Sequence, residues 1–321
     1  MATCSSRRHA PLRIAVLAGG ESPERDISLC SGAAVLRALQ DRGHHATQID
    51  PADCKLADCS WNDYDIAFLA LHGPFGEDGQ IQRILEEIGI PFTGSDSTVS
   101  HLAFSKSASK ERFLQNSVPT PPYVLIHETD SVARVQQHAA SLGFPLVVKP
   151  DGQGSSLGVS IVWSHSQLRQ AVSRCFRYDT FGVLETAIVG TEWTLGMLDD
   201  IVLPLIQIKT DRGFFDYTAK YVDNTTQYKF EFDLPPHIIQ AVESAGRNAC
   251  DALGTQGFPR VDIRLDQYHQ PWVLEVNTIP GLTNHSLIPK AAMHLGMDFA
   301  DFCERVIENC FIHSPANPHS S

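Results

Sequence analysis

The sequence has no run of apolar residues approaching the roughly 20 that a membrane-spanning helix needs, and no C-x-x-C pair among its eight cysteines. The first absence excludes a helical membrane protein, so no membrane is expected as a partner. The second, in a chain too long to need staples, makes the cysteines reduced thiols that mostly pack. Lys/Arg-rich blocks are also missing, and the formal net charge of −12 opposes a polyanionic backbone, so nucleic acid is not an expected partner. Met1 to Pro11 has no apolar core of a secretory signal, which makes a frayed tail and a cytoplasmic location the expectation. There is no internal repeat. After the first strand, Gly19-Gly20 runs into Glu21-Ser22-Pro23 rather than a G-x-G-x-x-G turn, which weighs against a dinucleotide-dependent oxidoreductase.

What is present is an ordinary globular composition, 43% hydrophobic and 19% charged over 321 residues, long enough for two or three packed subdomains. An acidic chain of this kind binds a nucleotide only by placing individual lysines at the phosphates. Arg13 to Leu17 reads as a buried strand and Ser31 to Arg42 as a helix, followed by a second buried strand at Tyr64 to Leu71. This order predicts a parallel sheet in an α/β domain. Ile81, Ile84, Leu85 and Ile88 fall at helical spacing ahead of Gly89, which predicts a helix over 79–88 with a left-handed C-cap.

A further helix is expected over 105–116 before the prolines at 119, 121 and 122, and the first domain is taken as 1–105. The middle of the chain reads strand (145–149), Gly/Ser loop (151–158), strand (159–163), and a helix from Ser164 with a capping box closed by Gln167. Another strand follows at 182–186. Thr191 to Ile208 reads as two strands turned at Asp199-Asp200, and 210–228 as a long loop of the kind that forms lids. A helix over 237–253 precedes a strand pair, 259–266 and 271–277, then two short helices and a tail from His313.

In the strand pair, Arg260, Asp262 and Arg264 alternate with apolar residues, as do Glu275 and Asn277. A four-residue connection at 267–270 would set Asp262 opposite Glu275 and Arg260 opposite Asn277. Facing carboxylates repel by about 3 kcal/mol at an effective dielectric near 20. Either Arg260 neutralises them or a hard, oxygen-coordinated cation does, with Asn277 adding a neutral oxygen. The loop from Lys149 through Gly152, Gly154, Ser155, Ser156 and Gly158 likewise admits two readings, a flexible turn or a cradle over an anion. It is no Walker motif, because the lysine precedes the glycines. His72, just past the second strand, and Glu24, near a helix start, each have a structural reading beside a functional one.

Taken in order, several short motifs resemble the D-alanine–D-alanine ligases of the ATP-grasp class over roughly residues 12–310. They are Gly19-Gly20 with Glu24, Leu71-His72-Gly73 with Gly76-Glu77-Asp78-Gly79, Lys149-Pro150, Gly154-Ser155-Ser156-Leu157-Gly158, Ala219-Lys220-Tyr221, Arg260-Val261-Asp262, and Glu275-Val276-Asn277 with Pro280-Gly281 and His285-Ser286-Leu287. The resemblance implies three subdomains: an N-terminal parallel-sheet domain to residue 105, a central ATP-grasp part over 106–194, and a C-terminal part over 195–321 carrying the lid.

It also implies ATP as co-substrate, two Mg²⁺ ions with Mn²⁺ as a substitute, and a homodimer. By resemblance, Lys106, Lys149, Gly154, Ser155, Ser156 and Lys220 bind phosphates; Glu185, Ile188 and Glu192 line the adenosine pocket; and Asp262, Glu275 and Asn277 hold the metals. Glu24 would receive the ammonium of a first D-alanine with His72 nearby, and Ser155 and Tyr221 would link to Glu24 as a gate. Arg260 and the Gly281 backbone would stabilise an oxyanion, while Lys220, Ser286 and Leu287 would seat a second D-alanine.

The implied chemistry is transfer of the γ-phosphoryl group to a carboxylate, attack of an amine on the acyl phosphate, and exclusion of water by a lid. Such an enzyme serves peptidoglycan synthesis and cell shape. The sequence departs from the family pattern at Ser105, Gln153, Thr186-Ala187 and 229–233. Relatives that join D-alanine to D-lactate or another D-amino acid, and a catalytically silent nucleotide-binding relative, are the alternatives.

Overall fold

The computed structural model describes residues 10–209, 226–283 and 286–313. The expected lid therefore lies outside the described residues apart from 226–228, as do both tails beyond residues 10 and 313. Lys220, Tyr221 and His285 fall in the same omitted stretches.

The first domain follows the alternating pattern. Strands β1 (Arg13–Leu17), β2 (His45–Ile49) and β3 (Ile66–Leu69) form a parallel sheet in the order β2-β1-β3, and Phe92 bridges Ala67 in the same sense. Ile14 to Leu17 and Ile66 to Leu69 are completely buried, as a sheet covered on both faces requires. Helix α1 (Arg25–Asp41) begins six residues earlier than the sequence suggests. Its buried face opens with Ser28, Ser31 and Gly32 before Val35, Ala38 and Leu39, so helical spacing is kept while apolarity is not. Ser28 explains the exception, donating to the Ala70 carbonyl at 2.7 Å and accepting from the Gly19 amide at 2.8 Å. Helix α2 (Gln80–Ile88) ends as expected at Gly89, whose φ of 81° is left-handed. Helix α3 (Ser97–Phe104) was not foreseen and is capped by Asp96, which accepts from the Val99 amide at 2.8 Å. Helix α4 (Lys106–Gln115) follows directly, with Ser105 as its N-cap.

The second sheet is antiparallel, in the order β4-β7-β5-β6, from β4 (Tyr123–His127), β5 (Leu146–Pro150), β6 (Ser160–Val162) and β7 (Phe181–Thr186). Helices α5 (Val132–Leu142) and α6 (His165–Cys175) pack on it. The capping box expected at Ser164 does not form. Ser164 makes no cap bond, and Gln167 instead accepts from the Trp163 amide at 2.7 Å. The third sheet runs β11-β10-β8-β12-β13 and contains β8 (Gly190–Leu198), β9 (Ile201–Val202) paired off its path, β10 (Ile206–Lys209), β11 (Gln227–Lys229), β12 (Arg260–Asp266) and β13 (Pro271–Asn277). The division expected after residue 194 thus falls inside β8.

Helix α7 (Pro236–Leu253) covers the third sheet, and α8 (Leu287–His294) and α9 (Phe299–His313) return to the first domain. There Phe258 stacks on Phe68 at 6.3 Å and meets Phe302 at 5.9 Å, so the chain's last helices complete the first domain's core. Arg42 clamps the same junction through Asp298 and Asp301 at 2.9 and 2.6 Å.

Candidate active site

The second and third sheets face each other across a cleft open to solvent, lined from both sides. Lys106, Lys149, Ser156, Glu185, Ile188, Glu192, Asp262 and Glu275 all line it, so residues spread over about half the chain converge as expected. Val147, Ile161, Ala187 and Leu274 supply an apolar slot between the charges.

Each lysine is fixed by an acceptor on another segment. Lys106, at the start of α4, donates to the Gln153 carbonyl at 2.6 Å and lies 3.4 Å from Glu275. Lys149, on β5, pairs with Glu185 on the neighbouring β7 at 2.6 Å. The second Glu185 oxygen takes Lys110 at 2.9 Å, and Lys110 continues to Thr120 at 2.7 Å. Burial alone would push the Glu185 carboxyl up, but Lys110 and Lys149 overcome it and hold it below the ordinary carboxylate range. Burial pushes the Lys110 ammonium down to about 8, with Glu185 pulling the other way. The folded chain thus sheds this proton near 8, while the unfolded chain keeps it to about 10.5, so the unfolded state binds more protons in between. Stability conferred by this group therefore rises with pH across that window. The thermal midpoint of the native protein, measured against Lys110→Met, should climb from pH 8 to 10; a constant difference would exclude the burial effect.

The loop after Lys149 is no plain turn. Ser155 and Ser156 hold left-handed backbone, with φ of 49° and 58°, a conformation that costs a non-glycine residue on the order of 1 kcal/mol. Ser156 lines the cleft, while Ser155 hydrogen-bonds to the Glu24 carboxylate. Glu24 is buried, pressed so closely by Gly154 that a Cβ there would come within 2.8 Å of its carboxylate oxygen. Beside it His72 contacts the Ser31 hydroxyl at 2.9 Å and the Ile279 carbonyl at 3.1 Å, with Glu77 at 3.6 Å. Burial pushes the Glu77 carboxyl up, against the pull of His72 and with the Glu24 charge reinforcing it. Of the expected gate, Glu24 and Ser155 are joined, and Tyr221 lies outside the described residues.

On the third sheet Asp262 does stand opposite Glu275 and Arg260 opposite Asn277. The connection, however, differs from the four residues assumed. Asp266 pairs back to the Gln270 carbonyl at 3.1 Å, leaving three residues in the loop, and a bulge between Asp262 and Ile263 in the pairing restores the register. Arg260 grips Asp262 with Nε and Nη2, both at 2.8 Å, Thr194 donates to it at 3.0 Å, and the Asn277 amide lies 3.4 Å away. Among the described residues no three His, Cys, Asp or Glu side chains converge, so the donors on this face are two carboxylates and an amide. Such an all-oxygen set fits a hard divalent cation.

Gly281 and Ser286 adjoin, a Cβ on the former reaching within 2.9 Å of the Ser286 hydroxyl. That hydroxyl also accepts from the Thr283 amide at 3.0 Å, and Leu287 is buried in the first domain's core. Ser105, one of the departures, donates to Asp151 at 2.7 Å, where an acidic residue would face another carboxylate.

Three contributors escaped the sequence reading: Lys110, Thr194 and Arg264. Lys110 follows Lys106 by one helical turn, and that spacing was the available signal. Arg264 continues the alternation of Arg260 and Asp262, on the same face of β12.

The family described as D-ala D-ala ligase C-terminus matches residues 113–308, and the one described as D-ala D-ala ligase N-terminus matches 47–95. The chain is 40% identical to the D-alanine–D-alanine ligase of Gloeobacter violaceus, covering 92% of this chain and 99% of that protein. It is 41% identical to that of Methylacidiphilum infernorum, covering 96% and 98%. Among solved structures, the D-alanine–D-alanine ligase from Bacillus anthracis complexed with ATP superimposes with a TM-score of 0.83 at 31% identity, over 94% of this chain and 98% of that one.

Proposed function

The chain belongs to the D-alanine–D-alanine ligase family, and from that membership we propose that it joins two molecules of D-alanine into D-alanyl-D-alanine at the expense of ATP, supplying a peptidoglycan precursor. The observation that carries the reading is the loop at 154–158. Ser155 touches the buried carboxylate of Glu24 and the next residue, Ser156, lines the nucleotide cleft, so a phosphate donor and an ammonium-bearing acceptor meet across a single turn.

The nucleotide's purine enters the apolar slot beside Glu185 and Ile188, its sugar reaches Glu192, and its phosphates meet Lys149, Lys106 and the amides of the loop. Glu24 pairs with the ammonium of the first D-alanine, which turns that molecule's carboxylate toward the phosphates. Lysine charge stabilises the transferring phosphoryl group as its charge spreads; a carboxylate oxygen of the first D-alanine bonds to the γ-phosphorus, the bond to ADP breaks, and an acyl phosphate and ADP result. The amine of the second D-alanine attacks this carbonyl; Arg260 and the Gly281 amide stabilise the oxyanion, and phosphate leaves. Asp262, Glu275 and Asn277 would hold Mg²⁺, or Mn²⁺ in its place, which when bound supplies further neutralisation of the phosphate oxygens. Lys220, Tyr221, Ser286 and Leu287 belong to the second-substrate side of this reading, and the acyl phosphate must be kept from water.

Among the described residues no helix is long and apolar enough to cross a membrane. This fits a cytoplasmic enzyme, and a homodimer is the assembly proposed.

Phosphate release across D-alanine, L-alanine, D-serine and D-lactate with ATP and Mg²⁺ tests the assignment. D-alanine alone should sustain turnover and give the dipeptide, while release that demands a hydroxy acid would move the protein to a depsipeptide-forming relative.

A further inference from the structure

Arg264 has no part in the reaction as described, yet it stands in the wall of the nucleotide cleft. Its position on β12 is directly opposite Glu192 on β8, and the two side chains, 15% and 10% exposed, pair at 2.9 Å. The guanidinium also donates through Nε to the Ile188 carbonyl at 3.2 Å. Ile188 lies in the short connection between β7 and β8, where the second sheet passes into the third. One planar group thus ties together the acidic wall of the cleft and the strap that joins its two sides.

A carboxylate without this donor would have more rotamers open to it. Fixed by a two-pronged donor, it keeps one orientation, and a fixed carboxylate is the acceptor that vicinal hydroxyls require. The fork matters as much as the charge, because an ammonium cannot reach both the carboxylate and the carbonyl in one plane.

We propose that Arg264 is a positioning residue of the nucleotide site, holding Glu192 and the Ile188 strap so that the site selects a ribonucleotide over its 2′-deoxy counterpart. The proposal rests on the nucleotide reading given above for this cleft. It gives Arg264 a role in binding and none in the chemical step.

The test compares native protein with Arg264→Met, Arg264→Lys and the double variant Arg264→Met/Glu192→Gln, using ATP and 2′-deoxy-ATP. Arg264→Met should raise KM for ATP about tenfold, the equivalent of one lost charge-assisted contact, with kcat within about twofold and KM for D-alanine unchanged. Its preference for ATP over 2′-deoxy-ATP should fall toward unity. Arg264→Lys should lie between, and the double variant should be no worse than Arg264→Met, because the two residues act as one unit. Native KM for ATP and native sugar preference in Arg264→Met would overturn the proposal, as would a parallel loss of kcat and of D-alanine affinity, which marks a general defect of fold. Should Arg264→Met fail to fold, Arg264→Lys decides the matter through the same two readouts.

Equilibrium titration with a non-hydrolysable ATP analogue reads the same effect without turnover. If native protein binds the analogue but does not ligate D-alanine, the ligase reading falls and Arg264 is still tested. If it binds no nucleotide, both fall together.

Discussion

Glu275→Gln should lower phosphate release by roughly three orders of magnitude while moving the thermal midpoint by no more than a few degrees. The substitution keeps shape, replaces one acceptor oxygen by a donor amide and removes one negative charge. Glu275 is a little over a quarter exposed and its partner Lys106 sits at 3.4 Å, so the lost ion pair costs at most about 1 kcal/mol of stability. Its position opposite Asp262 has a different weight. Two carboxylates held face to face on adjacent strands are an arrangement that folding alone disfavours, and Arg260 compensates Asp262 from one side only. On the proposed reading, the second carboxylate, with the Asn277 amide beside it, would hold positive charge against phosphate oxygens.

Two measurements separate this account from simple damage. The Mg²⁺ concentration needed for half-maximal activity should rise steeply in Glu275→Gln, and a phosphate-free nucleoside should bind as it does to native protein. Turnover within a few-fold of native at every Mg²⁺ concentration would remove Glu275 from the metal-holding role.

The parts of this molecule that could be read from sequence show either an unbroken apolar run or a side-chain spacing that matches the element carrying them. Strands β1 and β3 of the parallel sheet are of the first kind, and α2 with its glycine cap and the β12–β13 pair are of the second. The facing of Asp262 and Glu275 was reached by a wrong route, since a shorter loop and a bulge together gave the register that a longer loop had been assumed to give. Elements whose buried face is polar were lost or shortened, and α1 is the clearest case. Ser28 and Ser31 occupy helical core positions because they serve the Gly19 turn, the Ala70 carbonyl and His72, none of which is visible from the helix itself. Lys110 and Arg264 were missed for a related reason. Each acts through a carboxylate distant in sequence, Glu185 or Glu192, so the spacing that set it on the right face did not disclose the pair it would form.

Arg260→Lys should cut kcat by about 10² to 10³ while KM for ATP stays near its native value. In the structure Arg260 is a fork closed on Asp262, with Nε and Nη2 on separate oxygens, and only 15% of its side chain is exposed. Lysine preserves the charge, so Asp262 is not left bare, and Thr194 and Asn277 remain at 3.0 and 3.4 Å to hold it in place. What lysine cannot supply is the planar fork that grips Asp262 through two nitrogens, and on the proposed reading that same fixed guanidinium stabilises the oxygen on which charge develops. The deficit should therefore appear in the transition state alone, as a lower kcat with little change in ground-state binding.

Arg260→Met is the contrasting variant. It leaves a buried carboxylate without its counter-charge, and a loss of about 3–5 kcal/mol of stability should accompany the loss of activity. If Arg260→Lys kept native kcat, the oxyanion role would pass from the side chain to the backbone at Gly281, and Arg260 would be left as the counter-ion of Asp262.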